Sequence, residues 1–480
     1  LRFSPIHHLP FAICHLPFAI CHLPIAICHL PFAIFEGGLM PDATFHFPPN
    51  FRWGVATSAH QTEGNNTNNQ WWAWEQQEGH IKQGHQSGLA CDAWRHPEVD
   101  FDRAAAMGLN AMRLSVEWSR IEVAPGRIDT AALDHYREML KGLRERGIEP
   151  LVTLHHFSDP LWLTEQGGWL NVNVIQYFTR YVEQVVRALG EYTNFWCTLN
   201  EPNVYSYMGY MAGTFPPGKQ DMRMTFAVLR TMLQAHAAAY RRIHRLQENA
   251  RVGLAHNLRF FDPVRPHNLL DRLAAWVRDM GFNQTTLQAV WNGWWVPPAG
   301  FGPALTLRRT LDWFGLNYYT RDLVKFEPAA RADFFAQTTH DPQAEPLDGG
   351  YGELYPQGMY RALKQLARLG IPIYVTENGI PDADDDQRPR ALLLHLHQLW
   401  RALQDNVPVQ GYYHWTLTDN FEWAEGWTLR FGLIELDPRT QRRTPRPSAD
   451  LYAAIAQGNA ITPELLDAYA PELRKVLLPE

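Results

Sequence analysis

Two glutamates stand where side chains could do chemistry: Glu201 in "TLNEP" and Glu377 in "VTENG", each closing an apolar run. Two carboxyl groups brought to one mouth suit cleavage of a glycosidic bond, because one acid can protonate the leaving oxygen while the other attacks or activates water. Either glutamate alone says little. Polar residues of other kinds fall at matching places, since Arg113, His155 and His156, Asn200, Asn317 to Tyr319, Asn378 and Trp415 all lie at or just past the end of a strand-like run. Each of them singly could be an ordinary strand-end cap; their recurrence across most of the runs is harder to explain that way.

The runs themselves number eight. They are "FRWGVATS" from Phe51, "AMRLSV" from Ala111, "PLVTLHH" from Pro150, "NFWCTLNE" from Asn194, "RVGLAHN" from Arg251, "WFGLNYY" from Trp313, "IPIYVTEN" from Ile371 and "VQGYYHWT" from Val409. Most are continuously apolar, as strands of a parallel sheet covered on both faces should be. Helical periodicity fills several intervals, over 131–146, 174–189, 224–247 and 388–404. The alternation predicts an α/β chain folded as a single (β/α)8 TIM barrel, whose chemistry belongs at the C-terminal ends of its strands. A plain barrel needs about 250 residues, so the surplus is expected as long βα loops that form the active-site pocket.

Composition narrows the partners. Of 480 residues 46% are hydrophobic, and 43 basic against 50 acidic residues give a net charge of -7. No basic face invites nucleic acid or anionic lipid. Apolar runs stay short of the roughly 18 to 20 residues that a membrane helix requires. Aromatic residues make up 12% and include 18 Trp, many beside polar groups, which suits a ligand with a weakly polar face and a ring of hydroxyls. Three of the five cysteines, Cys14, Cys21 and Cys28, fall in the opening repeat, so Cys91 and Cys197 make no disulfide framework.

That repeat, "HLPFAIC HLPFAIC HLPIAIC HLPFAIF" over 8–35, carries a Pro in every unit and so is no coiled coil. As a signal peptide it lacks an unbroken apolar core. Three copies of the heptanucleotide CATTTGC translate to His-Leu-Pro-Phe-Ala-Ile-Cys, and Ile25 and Phe35 each differ by one base change. Residues 1–39 are therefore expected to be a non-functional extension from a translated DNA repeat, with the catalytic domain spanning 40–480 from Met40. With no credible signal segment, the expected location is cytoplasmic.

Taken together, "FRWGVATSAHQTEG", "MRLSVEWSRI", "TLNEP", "GLNYY", "YVTENG" and "WTLTDNFEWAEGWTLRFG" resemble glycoside hydrolase family 1, the retaining β-glucosidase and β-galactosidase family, in the family's order from about Phe45 to Ala460. The resemblance implies double displacement, with Glu377 as nucleophile and Glu201 as acid and then base. It implies that Arg113 and Tyr319 steady the charge of Glu377, and that Asn200 bonds the sugar 2-hydroxyl. It also implies a sugar site made by Gln61, His156, Asn317, Glu422, Trp423 and Phe431, with Trp415 as the platform under the ring. A carboxylate at Glu422 would repel a 6-phosphate, which favours unphosphorylated sugars. The chain departs from the pattern at His60, Phe157 and Ser158, near the site but not at its reacting groups.

No metal or other cofactor is expected. Adjacent His155 and His156 seldom share one ion, and "DADDDQ" after Pro381 reads as a solvated acidic loop, because the Gly and terminal Glu of a calcium loop are missing. Of Trp71, Trp72 and Trp74, at least two are expected to pack a loop onto the barrel. The expected partners are small-molecule β-glycosides or short oligosaccharides, with no nucleic acid and no membrane; a homo-oligomer is compatible with the sequence. The alternatives are a transglycosidase using the same site, or an inactive sugar-binding protein, against which both glutamates speak.

Overall fold

The computed structural model describes residues 44–330 and 335–478. The opening repeat and Met40 lie outside the described residues. Eight parallel strands close into a barrel: β1 (Arg52–Ala56), β2 (Ala111–Ser115), β3 (Glu149–Thr153), β4 (Phe195–Asn200), β5 (Arg251–Asn257), β6 (Trp313–Asn317), β7 (Ile373–Asn378) and β8 (Val409–His414). All eight expected runs become these strands, with β3 beginning one residue early at Glu149. Closure comes from β8 on β1, where Gly411 pairs with Arg52 and His414 with Val55.

The strands read as apolar because both of their faces are covered. Inside, small residues (Ala56, Ala111, Ala255) leave room for Phe195, Trp313 and Tyr374, whose ring centroids lie 4.9 to 5.6 Å apart. At the N-terminal end Glu149 bridges Arg52 and Arg251 at 3.0 and 2.6 Å, so charges close the barrel floor in pairs.

Outside runs a ring of helices, the main ones being α1 (Glu98–Ala106), α2 (Thr130–Glu145), α3 (Val174–Leu189), α4 (Met222–Leu246), α5 (Thr285–Asn292), α6 (Gln357–Leu366), α7 (Arg388–Gln404) and α8 (Pro447–Gly458). Their starts are set by caps. Asp129 accepts from the N–H groups of Ala131 and Ala132, and Asp221 from those of Arg223 and Met224. α3 buries Val174, Phe178, Tyr181, Val182, Val185 and Leu189, one stripe at helical spacing.

The surplus residues are βα loops, as expected. The loops after β5 and β6 together build a three-stranded sheet of Phe260–Pro263, Arg321–Phe326 and Ala336–Thr339, with helix Leu269–Asp279 packed on it. The acidic loop differs from its expectation. Asp382 is buried and accepts three backbone N–H groups, from Asp385, Gln387 and Arg388 at 3.0, 3.0 and 2.7 Å, while buried Asp385 pairs with Arg388. Half of that loop thus braces the entry to α7 instead of being solvated. Among the described residues, no helix is long and apolar enough to cross a membrane.

Candidate active site

β7 ends in Thr376, Glu377 and Asn378, and it delivers Glu377 to the C-terminal mouth of the barrel. One carboxylate oxygen of Glu377 accepts from Arg113 Nη1, and the other accepts the Tyr319 hydroxyl at 2.6 Å. Arg113 rises from β2 and is wholly buried, which is tolerable because each end of its guanidinium has an acceptor: Asn200 Oδ1 at 2.6 Å and Thr153 Oγ1 at 3.1 Å complete the set. Burial and the charge of Glu377 push the Tyr319 phenol far above its usual range, so it remains a donor.

Glu201 closes β4 differently. Its backbone is left-handed, with φ of 43° and ψ of 59°, and Pro202 opens a short helix immediately after it. A strand must turn into a helix within one residue here, and that unfavourable conformation falls on a carboxyl that faces the cavity. Its Oε1 accepts from Asn317 Nδ2 at 2.7 Å and Asn257 Nδ2 at 3.0 Å. Burial, with a further push from the charge of Glu377, raises the Glu201 carboxyl to about 8.

The two glutamates are joined by one hydrogen-bonded chain. Arg113 bonds Glu377 and Asn200, Asn200 accepts from Asn317 at 3.1 Å, and Asn317 bonds Glu201. Because Arg113 can only donate, Asn200 must turn its oxygen toward it and its Nδ2 toward His156 Nε2, 2.9 Å away. His156 therefore accepts at Nε2 and carries its hydrogen on Nδ1, which has no protein partner among the described residues. Burial, with the Arg113 guanidinium beside it, pushes this imidazole well below its usual range and keeps it neutral.

Above the carboxyls lies a cavity of about 440 Å³. Of the expected residues, His156, Asn200, Glu201, Tyr319, Glu377, Trp415, Glu422, Trp423 and Phe431 line it. Arg113, Gln61 and Asn317 form the layer beneath, all fully buried. Gln61 accepts from Ser58 Oγ at 2.6 Å and donates to Asn420 Oδ1 and the Phe421 carbonyl at 3.1 and 3.0 Å, which fixes the loop that carries Glu422. Trp415 Nε1 donates to Glu422 Oε1 at 3.0 Å, and burial raises the Glu422 carboxyl to about 8. His156 stacks between Trp415 and Trp423, with centroids 5.9 and 6.0 Å away.

Three other residues of the rim serve the scaffold. His155 turns away from the cavity to Asp159, 3.0 Å away, which also accepts from Trp169 and Tyr205. Asn378 bonds the Tyr318 carbonyl and the Tyr412 hydroxyl, and the Tyr318 hydroxyl bonds the Tyr355 carbonyl. Trp71 packs between Phe215 and Trp423, and Trp74 stacks on His80, so both pack their loop as expected. His60 stacks on Trp423 with a 5.8 Å centroid separation. Sequence reasoning missed Asn257, although it ends β5 just as Asn200 and Asn317 end β4 and β6. It also missed Tyr351, whose ring meets Phe431 at 5.3 Å from a loop that no periodicity marks.

Residues 43–461 match the profile of glycosyl hydrolase family 1. The chain is 30% identical to β-glucosidase A of Thermotoga maritima, covering 86% of this chain and 98% of that one, and 31% identical to a β-galactosidase of Sulfolobus acidocaldarius, covering 87% and 96%. Among solved structures, a β-glycosidase from Pyrococcus horikoshii superposes with a TM-score of 0.82 at 37% identity, over 89% of this chain and 98% of its own.

Proposed function

Because this chain belongs to glycosyl hydrolase family 1, and so is a β-glucosidase-type O-glycosyl hydrolase, we propose that it releases terminal non-reducing β-D-glucosyl residues, and β-D-galactosyl and β-D-fucosyl residues as well, with retention through a covalent glycosyl-enzyme. The observation that carries this reading is the unlike setting of two carboxyls in one cavity. Glu377 is gripped by a guanidinium and a phenol, both donors to a carboxylate, whereas buried Glu201 keeps its proton up to about pH 8.

In this reading Glu377 attacks the anomeric carbon while Glu201 protonates the departing oxygen. Once Glu377 is esterified its charge is gone, the push on Glu201 relaxes, and Glu201 can take a proton from the incoming water. Asn200 is held by Arg113 and Asn317 at a place where it can bond the sugar 2-hydroxyl, a contact that strengthens in the oxocarbenium-like transition state. His156 Nδ1 supplies a donor that the protein leaves unused. Trp415 supplies the ring platform, and Glu422 the carboxyl for the outer hydroxyls.

The Thermotoga maritima relative has been solved with deoxynojirimycin, at a TM-score of 0.82 to this chain. The cavity of about 440 Å³ in this chain has room for a ligand of that size. Glu422 needs one adjustment. At neutral pH its carboxyl is largely protonated, so a 6-phosphate is disfavoured less by charge than by losing its water to a carboxyl and two indoles.

Proton NMR of the first sugar released from phenyl β-D-glucoside tests the proposal. β-Glucose should appear first and mutarotate later, and the 6-phospho substrate should turn over poorly. α-Glucose appearing first would mean inversion and would refute the double displacement.

A further inference from the structure

Glu201 Oε1 accepts two amide hydrogens at once, from Asn317 Nδ2 at 2.7 Å and from Asn257 Nδ2 at 3.0 Å. Asn257 and Asn317 are register partners on β5 and β6, and the Leu258 N–H bonds the Asn317 carbonyl at 3.0 Å, so two donors rise side by side from adjacent strand ends. The direction of the Asn317 bond is fixed from below. Arg113 offers no acceptor, so Asn200 must point Oδ1 at it; Asn317 reaches that same oxygen at 3.1 Å and must do so with Nδ2. Its own Oδ1 takes the Thr376 hydroxyl at 2.7 Å. With two donors on Oε1, the hydrogen of a neutral carboxyl belongs on the other oxygen.

We infer that Glu201 gives and takes its proton through Oε2, and that Asn257 is a positioning residue which, with Asn317, holds Oε1 as the carbonyl oxygen. This rests on Glu201 being the acid and base. In the first step the O–H bond at Oε2 breaks and its proton passes to the glycosidic oxygen. The C1–O bond breaks as Glu377 bonds C1, and the aglycone leaves as a neutral alcohol. In the second step water bonds C1, the ester to Glu377 breaks, and the water proton returns to Oε2.

A leaving group that needs a proton should feel Asn257, and one that leaves readily as an anion should not. The test compares kcat/KM for phenyl and 2,4-dinitrophenyl β-D-glucosides, across about pH 5 to 10, in wild type, Asn257→Ala and the near-isosteric Asn257→Asp. Phenyl glucoside should lose about tenfold in both variants, while the dinitrophenyl substrate changes less than about threefold. The alkaline limb should move up, because a donor that lowers the Glu201 pKa is gone. Equal losses on both substrates, or an unmoved limb with unchanged phenyl hydrolysis, would overturn the assignment. Glu201→Ala serves as the reference. If it too loses equally on both substrates, what fails is the reading of Glu201 as the acid.

Discussion

Glu201, Glu377 and Glu422 share one cavity, and their surroundings give them different work. Glu377 has a cation and a phenol on its two oxygens, while Glu201 and Glu422 have amide or indole donors and no cation in contact. Burial is the largest effect at Glu201 and at Glu422, and it pushes each up to about 8. With Glu201 as the proposed acid its protonated form is the useful one, so kcat/KM for phenyl β-glucoside should fall as pH rises through about 8. Glu201→Gln should lose roughly a hundredfold or more and show a flat profile there. A limb that persists in that variant would instead report Glu422. At this scale the two facing carboxyls of the cavity were legible because "TLNEP" and "VTENG" mark strand ends with carboxylates. Asn257 stands at an equivalent strand end, but a lone amide after "GLAH" carries no motif.

The strands and main helices were legible for a physical reason. A barrel strand is covered on both faces and must be apolar throughout, and a helix on its outside must repeat near 3.6 residues. Neither rule governs the connections. His155 and His156 look equivalent in sequence, yet one meets Asp159 outside the cavity and the other meets Asn200 inside it, because neighbours on an extended chain point to opposite sides. Helix Leu269–Asp279 misleads in another way. Periodicity would bury Leu269, Leu273 and Trp276, but they are 74%, 54% and 57% exposed, while Asp271 and Ala274 face the small sheet. Asp271 is anchored by Arg265 and by the Phe326 N–H at 2.9 Å, so polar anchoring decides which face turns inward. The left-handed turns at Phe157 and Glu201, with φ of 68° and 43°, carry no glycine to announce them.

At the scale of the whole molecule, buried titratable groups set how stability varies with pH. Glu63 and Glu75 are raised by burial to about 7, and Glu201 and Glu422 to about 8. The native state keeps those protons where the unfolded chain has released them, so stability is lost as pH rises through 7 to 8. Burial has the opposite effect on histidines, lowering His60, His236, His256 and His414 to about 3 and His395 and His397 to about 4. The unfolded chain binds protons there below about 6.5 and the native state does not, so stability is also lost on acidification. The two sets act in opposite directions, which places the maximum between the acid range, where the histidines cost stability, and about pH 8, where the carboxyls do. Calorimetric Tm should peak there, and a Tm that climbs steadily to about pH 9 would contradict the balance. On the proposed mechanism the folded barrel bonds its substrate through Glu377. The direct measurement is Glu377→Ala acting on 2,4-dinitrophenyl β-D-glucoside with and without azide. The expected result is a dead variant that azide revives to give the α-glucosyl azide. Substantial activity without azide, or a β-azide product, would show that Glu377 is not the nucleophile.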